Sequence, residues 1–344
     1  METRLLKPSG KKQPSAPGRR SGESICGSRA LGLAAAVVVL AYFSPALAAD
    51  PRAPNYSPQL LINAEGGAPG QLVTDYAKAT APEKKVYSST MQGPFGSGIS
   101  IQEKQTEAGQ HFFGGALKDG INAGEGKDVW LRVYHFFPQG YCYGYSNQTP
   151  PANYADGNGK MKWFRLQYSN NERFTVELGG FANVGAKGQS CPSSSTVWGA
   201  IEEFSHASGG LRALPNSDAK PIPRGQWAAV QVHIHLSSSA GSGYLEAWVD
   251  DTYLGRKASE TLPPNAQLQS VWYGNYWNGG APSQQHWFID EIIMTTAAPD
   301  TTDSGGRRYI HPQTRVADFK GGGGDTAPDE SPPRPPTDVR TSTN

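Results

Sequence analysis

GQWAAVQVHIHL, residues 225–236, decides the fold together with the three runs that follow it: GYLEAWVDDTYLG (243–255), LQSVWYGNYWNGG (268–280) and HWFIDEIIMTT (286–296). Apolar and polar residues alternate in each run, and clusters of Gly, Ser, Pro and Asn separate them. Period-two alternation between such breaks predicts half-buried antiparallel strands, because successive side chains of a strand leave opposite faces. In the first run Ala228, Val230, Val232, Ile234 and Leu236 form an apolar face, and Trp227, Ala229, Gln231, His233 and His235 form the other. The apolar face belongs in a core. The second is polar, aromatic and titratable, which a core does not require. A sandwich with one decorated sheet face is therefore expected.

The chain has 344 residues, enough for one large β domain or two ordinary ones. All eight Trp lie between Trp130 and Trp287, which places the aromatic mass in a single block and argues for one domain there. Formal net charge is +1, but residues 1–30 hold seven Lys/Arg against two acids, and without them 24 basic face 28 acidic residues, a net of −4. A slightly acidic chain lacks the basic footprint that phosphate contacts need, so a general nucleic-acid binder is excluded. An anionic ligand would need a local cluster of Arg, Lys or His.

Residues 1–48 read as an export signal: a basic start, an apolar run over 31–43, and the cleavage pattern Ala46-Leu47-Ala48. The run is shorter than the ~20 apolar residues that cross a bilayer, so no span is expected in the mature form, which would be secreted or periplasmic. Cys26 falls in this segment; Cys142 and Cys191 remain and are expected to pair as one disulfide in an oxidising compartment. Residues 129–137 alternate as a strong strand with Trp130, Arg132, Tyr134 and Phe136 on one side, and 163–168 form another, with Trp163, Arg165 and Gln167 on a shared face. Residues 197–204 read as a helical turn. From Asp300 the composition turns to Gly and Pro, including the run 320–324, and a disordered tail is expected. The expected organisation is a signal peptide at 1–48, a β-sandwich at 49–299 and a disordered tail at 300–344.

Gln226-Trp227 opening a strand, Leu245 to Asp250 as its hairpin partner, and Phe288 to Ile293 as a closing strand resemble concanavalin A-like jelly-roll domains, which implies an all-β fold of two antiparallel sheets. Within that group residues 65–296 are most similar to extracellular polysaccharide lyases of the alginate and glucuronan type. Trp272-Tyr273-Gly274-Asn275-Tyr276 resembles their Lys-Ala-Gly-x-Tyr run, with Gly274 and Tyr276 matching and Trp272 in place of the Lys. Gln231-Val232-His233 resembles their Gln-Ile-His triplet but lies later in the chain. Their Arg-x-Glu-Leu-Arg motif is absent, and so is the Glu-x-Asp-x-x-Glu motif of hydrolases on this fold. The resemblance further implies a structural Ca²⁺, for which Glu65 and Asp290 are the candidate ligands, since carboxylates and turn carbonyls suit a hard cation. His233 and His235 leave the same strand face and could bind zinc if a third ligand such as Glu246 or His286 joined them.

Lyase chemistry sets its own requirements. The C5 proton of a uronic acid becomes acidic only when its carboxylate is neutralised; a base then removes it and an acid assists the O4 leaving group. Arg132 and Arg165 are candidates for the carboxylate, His233 for neutraliser or base, and Tyr276 or Tyr134 for base and acid. Gln167 and His235 are candidate substrate contacts, and Trp130, Trp163, Trp248, Trp272 and Trp277 are candidate stacking platforms for sugar rings. These residues are expected to share one concave sheet. The sequence thus points to an exported, monomeric lyase acting on an anionic polysaccharide; a non-catalytic carbohydrate-binding jelly roll is the competing reading.

Overall fold

A computed structural model describes residues 54–73, 85–96, 98–105, 116–141, 161–179, 197–203, 212–215, 220, 222–277 and 284–319. Residues 1–48, read from sequence as an export signal, and Cys142 and Cys191, read as a disulfide, lie outside the described residues. Among the described residues fourteen strands run in chain order: β1 (Leu60–Ile62), β2 (Lys85–Tyr87), β3 (Ile101–Gln105), β4 (Ala116–Ala123), β5 (Asp128–Phe136), β6 (Met161–Tyr168), β7 (Arg173–Gly179), β8 (Val197–Glu203), β9 (Arg212–Ala213), β10 (Trp227–His235), β11 (Tyr244–Val249), β12 (Thr252–Ala258), β13 (Leu268–Trp277) and β14 (Gln285–Thr295). They form a jelly-roll β-sandwich of two antiparallel sheets. The first sheet has the order β12-β11-β10-β5-β14-β3-β2, with β1 also paired to β14, and the second has the order β4-β13-β6-β7-β8-β9. Residues 197–204, read from sequence as a helical turn, instead supply β8, which pairs with β7 from Val197 to Glu203.

The alternation in β10 does what the pattern requires. Ala228, Val230, Val232, Ile234 and Leu236 are fully buried in the main core between the sheets. Across from them β5 contributes Val129, Leu131 and Val133, and the second sheet contributes Phe164, Leu166, Tyr168, Phe174, Val176, Val271 and Tyr273. Register fixes which outward residues meet: on β10, Gln231 lies opposite Arg132 and His233 opposite Trp130 of β5, while His233 also lies opposite Glu246 of β11. A slip of one residue would turn every one of these side chains inward, so the buried face pins the register.

The domain does not stop at 299. Residues 300–319 cross the outer face of the first sheet as an ordered strap and end in a short 3-10 helix, Val316–Phe319. Tyr309, Ile310 and Val316 are 4%, 1% and 0% exposed, which corrects the expectation of disorder from Asp300. Gly and Thr keep this stretch out of helix and sheet, but four apolar anchors (Tyr309, Ile310, Val316 and Phe319) give it enough surface to bury. Trp130, Ile293, Ile310 and Val316 make a second apolar cluster beneath it, with Leu61 and Phe319 packed alongside.

Candidate functional site

The two sheets present different exteriors. On the first, β5 and β10 point Trp130, Arg132, Tyr134, Gln231 and His233 outward as the sequence predicts, and the strap covers them. Arg132 is 0% exposed. Its Nη1 donates to the carbonyls of His311 (3.0 Å), Pro312 (3.4 Å) and Thr314, and its Nη2 donates to the Glu291 carbonyl (3.2 Å) and lies 3.8 Å from Glu291 Oε2. Tyr134 donates its hydroxyl to the Pro312 carbonyl (2.5 Å), the Ile310 amide donates to Gln231 Oε1 (3.0 Å), and the Val316 amide donates to Glu291 Oε2 (2.6 Å). Trp248, fully buried, donates its indole N–H to Asp303 Oδ2 (2.9 Å) and stacks on Tyr309. An otherwise unpaired strap backbone is thus satisfied by side chains, as buried backbone must be. Arg132, Tyr134 and Trp248 were expected to face a sugar; in the structure their polar groups are spent on the strap.

At one end of this face lies a charged cluster that the strap leaves partly open. His233 Nδ1 meets Glu246 Oε2 at 2.9 Å and its Nε2 meets Asp128 Oδ1 at 2.8 Å, while His235 Nδ1 shares Asp128 Oδ1 at 2.8 Å. Glu246 Oε1 also accepts from the Tyr253 hydroxyl and Arg256 Nε, each at 2.9 Å. Burial opposes protonation of His233, but hydrogen bonds to Asp128 and Glu246 outweigh it and hold its pKa above the ordinary value. Burial likewise works to raise Asp128 and Glu246, and the histidine contacts, with Arg256 on Glu246, prevail and hold both carboxylates low. The result is a histidine bridging two carboxylates, its ring stacked on Trp130 at 4.3 Å. Both ring nitrogens of His233 are occupied, which removes it from the role of a base open to substrate. It also lies on the first sheet, whereas Tyr276 lies on β13 of the second, so the expected pairing of the two is not formed.

The second sheet turns a separate set of polar and aromatic side chains outward. Here Arg165 of β6 lies between Thr175 of β7 and Trp272 of β13, its register partners on either side. Arg165 Nε donates to Thr175 Oγ1 (3.2 Å), and Thr175 is fully buried beneath it. Trp272, half-buried, donates its indole N–H to Ser270 Oγ at 2.9 Å. One row along, Gln167 lies between Ser270 and Arg173, accepting from Arg173 Nε at 3.2 Å. Tyr276 and Trp277 lie on the same strand as Trp272, with Tyr276 opposite Lys162; their side chains are outside the described residues. Of the expected constellation, Arg165, Gln167, Trp272, Tyr276 and Trp277 therefore share one sheet, while Arg132, Tyr134, His233, His235 and Trp248 share the other. Thr175, Ser270 and Lys162 complete this outer face and were not singled out from sequence. Alternation alone marks them outward but says nothing about which strands are neighbours. Trp163, a candidate platform, is fully buried between the sheets.

The cation expectation meets a different arrangement. Asp290 is buried, and its Oδ1 accepts from the Ala64 amide (3.0 Å) and the Glu291 amide (2.8 Å). Burial, reinforced by nearby Glu291, pushes its pKa well up, while Glu65 is exposed at the turn after β1. Among the described residues no group of three or more His, Cys, Asp or Glu side chains is placed to hold a metal ion. Glu65 adds to that upward push on Asp290, so the two candidate calcium ligands lie near one another. Among the described residues no helix is long and apolar enough to cross a membrane.

No family model matches the chain, and no curated protein matches it. Among solved structures it is similar to the endo-β-1,4-glucuronan lyase of the fungus Trichoderma reesei, at 11% identity and a TM-score of 0.42 over 70% of this chain and 96% of that one. It is also similar to the cellulose-induced protein Cip1, at 11% identity and TM-score 0.37 over 65% and 90% of the two chains. An alginate lyase from Alteromonas sp. 272 shares 10% identity and TM-score 0.31 over 67% and 94%. Identities and TM-scores this low leave function to be argued from the site itself.

Proposed function

We propose that the chain is an exported protein that holds a uronic-acid polysaccharide on the outer face of the second sheet and cleaves it by β-elimination. The observation that carries this reading is the Arg165–Trp272 pair. A guanidinium fixed by a buried hydroxyl stands beside a half-buried indole on adjacent strands, with Gln167 in the next row. A sugar ring stacks on an indole, and a guanidinium meets a carboxylate with two parallel N–H donors. Neutralised in this way, the uronate loses its C5 proton more readily.

Tyr276, on the same strand as Trp272, is the group assigned to the proton. The base takes the C5 proton, the electron pair forms the C4=C5 double bond, the C4–O4 bond breaks, and a proton is delivered to the departing O4. Lys162, opposite Tyr276 in register, supplies a cation on the neighbouring strand. The alternative, a binding module without catalysis, is favoured by one observation: the strap and the carboxylate cluster occupy His233, Arg132 and Tyr134, which removes three groups from the candidate machinery. The mature chain, incubated with alginate, glucuronan and pectic polymers and with neutral glucans as controls, decides between them. A rise in ultraviolet absorbance from the unsaturated uronide, lost in Tyr276→Phe and Arg165→Ala, supports the lyase. Retarded migration in a polymer-containing gel with no absorbance rise replaces it by the binding module.

A further inference from the structure

Beneath the outer face of the second sheet, in the middle of the core, sits a histidine that neither the strap nor the cluster uses. His135 of β5 belongs to the first sheet, points inward and is fully buried. Its Nε2 receives two hydrogen bonds from across the sandwich: the Trp163 indole N–H at 2.8 Å and the Tyr273 hydroxyl at 2.9 Å. Phe137, Trp287, Trp163 and Tyr273 surround its ring. Burial pushes its pKa down to about 3, so the ring is neutral with its proton on Nδ1. That Nδ1 has no hydrogen-bond partner, a cost that an apolar residue of the same shape would not incur.

The two donors mark irregular points in the second sheet. The β6–β7 register shifts between Lys162 and Phe164, so Trp163 and Phe164, consecutive in sequence, are both fully buried. The β13–β6 register shifts between Tyr273 and Tyr276, where Gly274 takes φ 154°. A bulge breaks alternation and re-aims the side chains that follow it. Here the side chains on the far side are Arg165, two residues beyond Trp163, and Trp272, immediately before Tyr273.

Resting on the reading of the second sheet as the polysaccharide site, we infer that His135 is a positioning residue. By accepting from Trp163 and Tyr273 at once it locks the bulges of β6 and β13 against each other and thereby sets the placement of Arg165 and Trp272 on the outer face. The buried indole and phenol each need an acceptor. A single shared acceptor adds a directional tie at the points where the β6–β7 and β13–β6 pairings shift register, which apolar packing alone does not supply.

The test uses the full mature chain and three variants: His135→Gln, which keeps an acceptor; His135→Phe, which removes the acceptor the two donors share; and His135→Phe/Trp163→Phe/Tyr273→Phe, which removes donors and acceptor together. The readout is the Trp272 indole N–H and Arg165 Nε–H resonances, which report the outer face whether or not a polymer is found, with thermal melting as the check on folding. The inference expects both resonances to shift or broaden in the triple variant while it still melts cooperatively, and to return towards wild-type positions in His135→Gln. A cooperatively folded triple variant with both resonances unmoved overturns it. Affinity-gel retention by a uronic-acid polymer forms the second arm and should weaken at least tenfold in the triple variant. If wild type ignores every polymer yet the resonances move, the polysaccharide reading fails and the positioning role stands.

Discussion

Replacing Arg132 by Met separates a structural from a ligand-binding arginine. In the structure this side chain is fully buried and serves three strap carbonyls and the Glu291 carbonyl. Methionine fills much of the volume and donates nothing, so the His311, Pro312 and Thr314 carbonyls lose their charged donor. Hydrogen bonds to a charged group contribute about 1.5–3 kcal/mol each, but they share one cation and are not additive. Breaking a buried charged pair costs about 3–5 kcal/mol, and that range is expected here. Glu291 limits the damage, because burial, opposed by Arg132, already lifts its carboxyl to about 7 and it can take up a proton when the cation is removed. For a domain of this size each kcal/mol moves Tm by about 2–4 °C, so a fall of roughly 10 °C is expected by differential scanning calorimetry. The strap should also loosen before the sheets do, opening Arg307, Arg308 and Arg315 to trypsin. An Arg132→Met protein whose Tm stays within about 2 °C of wild type, with its strap still resistant, would refute the structural assignment. Loss of polymer retention in that same protein would return Arg132 to the ligand.

Truncation after Phe319 should leave Tm nearly unchanged, since the strap anchors identified lie before residue 320; truncation after Pro299 should expose Trp130, Trp248 and Ile293 and give an aggregating protein that binds the apolar-surface dye ANS. His233→Gln should alter the pH profile of stability. The raised pKa of His233 contributes stability that is present below its ordinary 6.5 and lost as pH rises through the higher folded value. The lowered Asp128 and Glu246 contribute stability that is present above their ordinary 3.8 and 4.5 and lost as pH falls through their folded values. The Tm gap between wild type and His233→Gln, followed from pH 3 to 9, should therefore be widest near pH 5–6 and narrow on both sides; a gap that is flat with pH would contradict the ion cluster. Arg165→Ala, at a half-buried surface position, should lower Tm by no more than about 3 °C while reducing polymer retention or turnover at least tenfold, measured on the same preparation; equal retention would remove Arg165 from the site.

The alternation of residues 225–236 was enough to separate core from exterior on β10, and each apolar position predicted there is buried. What alternation cannot supply is the identity of the neighbouring strand. Arg132 and Arg165 both read as outward arginines flanked by tryptophan, yet one lies on each sheet, because the chain passes from one sheet to the other between β5 and β6. The strap was hidden by its composition: Asp, Thr, Gly and Pro dilute Tyr309, Ile310, Val316 and Phe319 below any periodic signal, although an apolar island after a Gly pair is a cue that could have been weighed. Trp163 escaped for a third reason. A bulge placed it in the core out of turn, and strict parity assigns it to the exterior with Arg165.

The sealing of one sheet bears on the function of the other. A sandwich offers two outer faces, and this chain uses 20 residues of its own to close the first, with the most basic side chain of β5 turned into a backbone clamp. A buried guanidinium fixed on carbonyl oxygens is unsuited to recognising a mobile anion, since its Nη1 must first be withdrawn from the strap carbonyls and its Nη2 from Glu291. Arg165 is held through a side-chain hydroxyl instead: its Nε donates to Thr175 Oγ1, and the side chain is half-buried on the strand beside Trp272. Tethering through Nε restricts the rotamers of the stem, so less conformational freedom remains to be lost when a carboxylate docks. It is this difference in how the two arginines are held, more than their similar sequence surroundings, that places the candidate site on the second sheet.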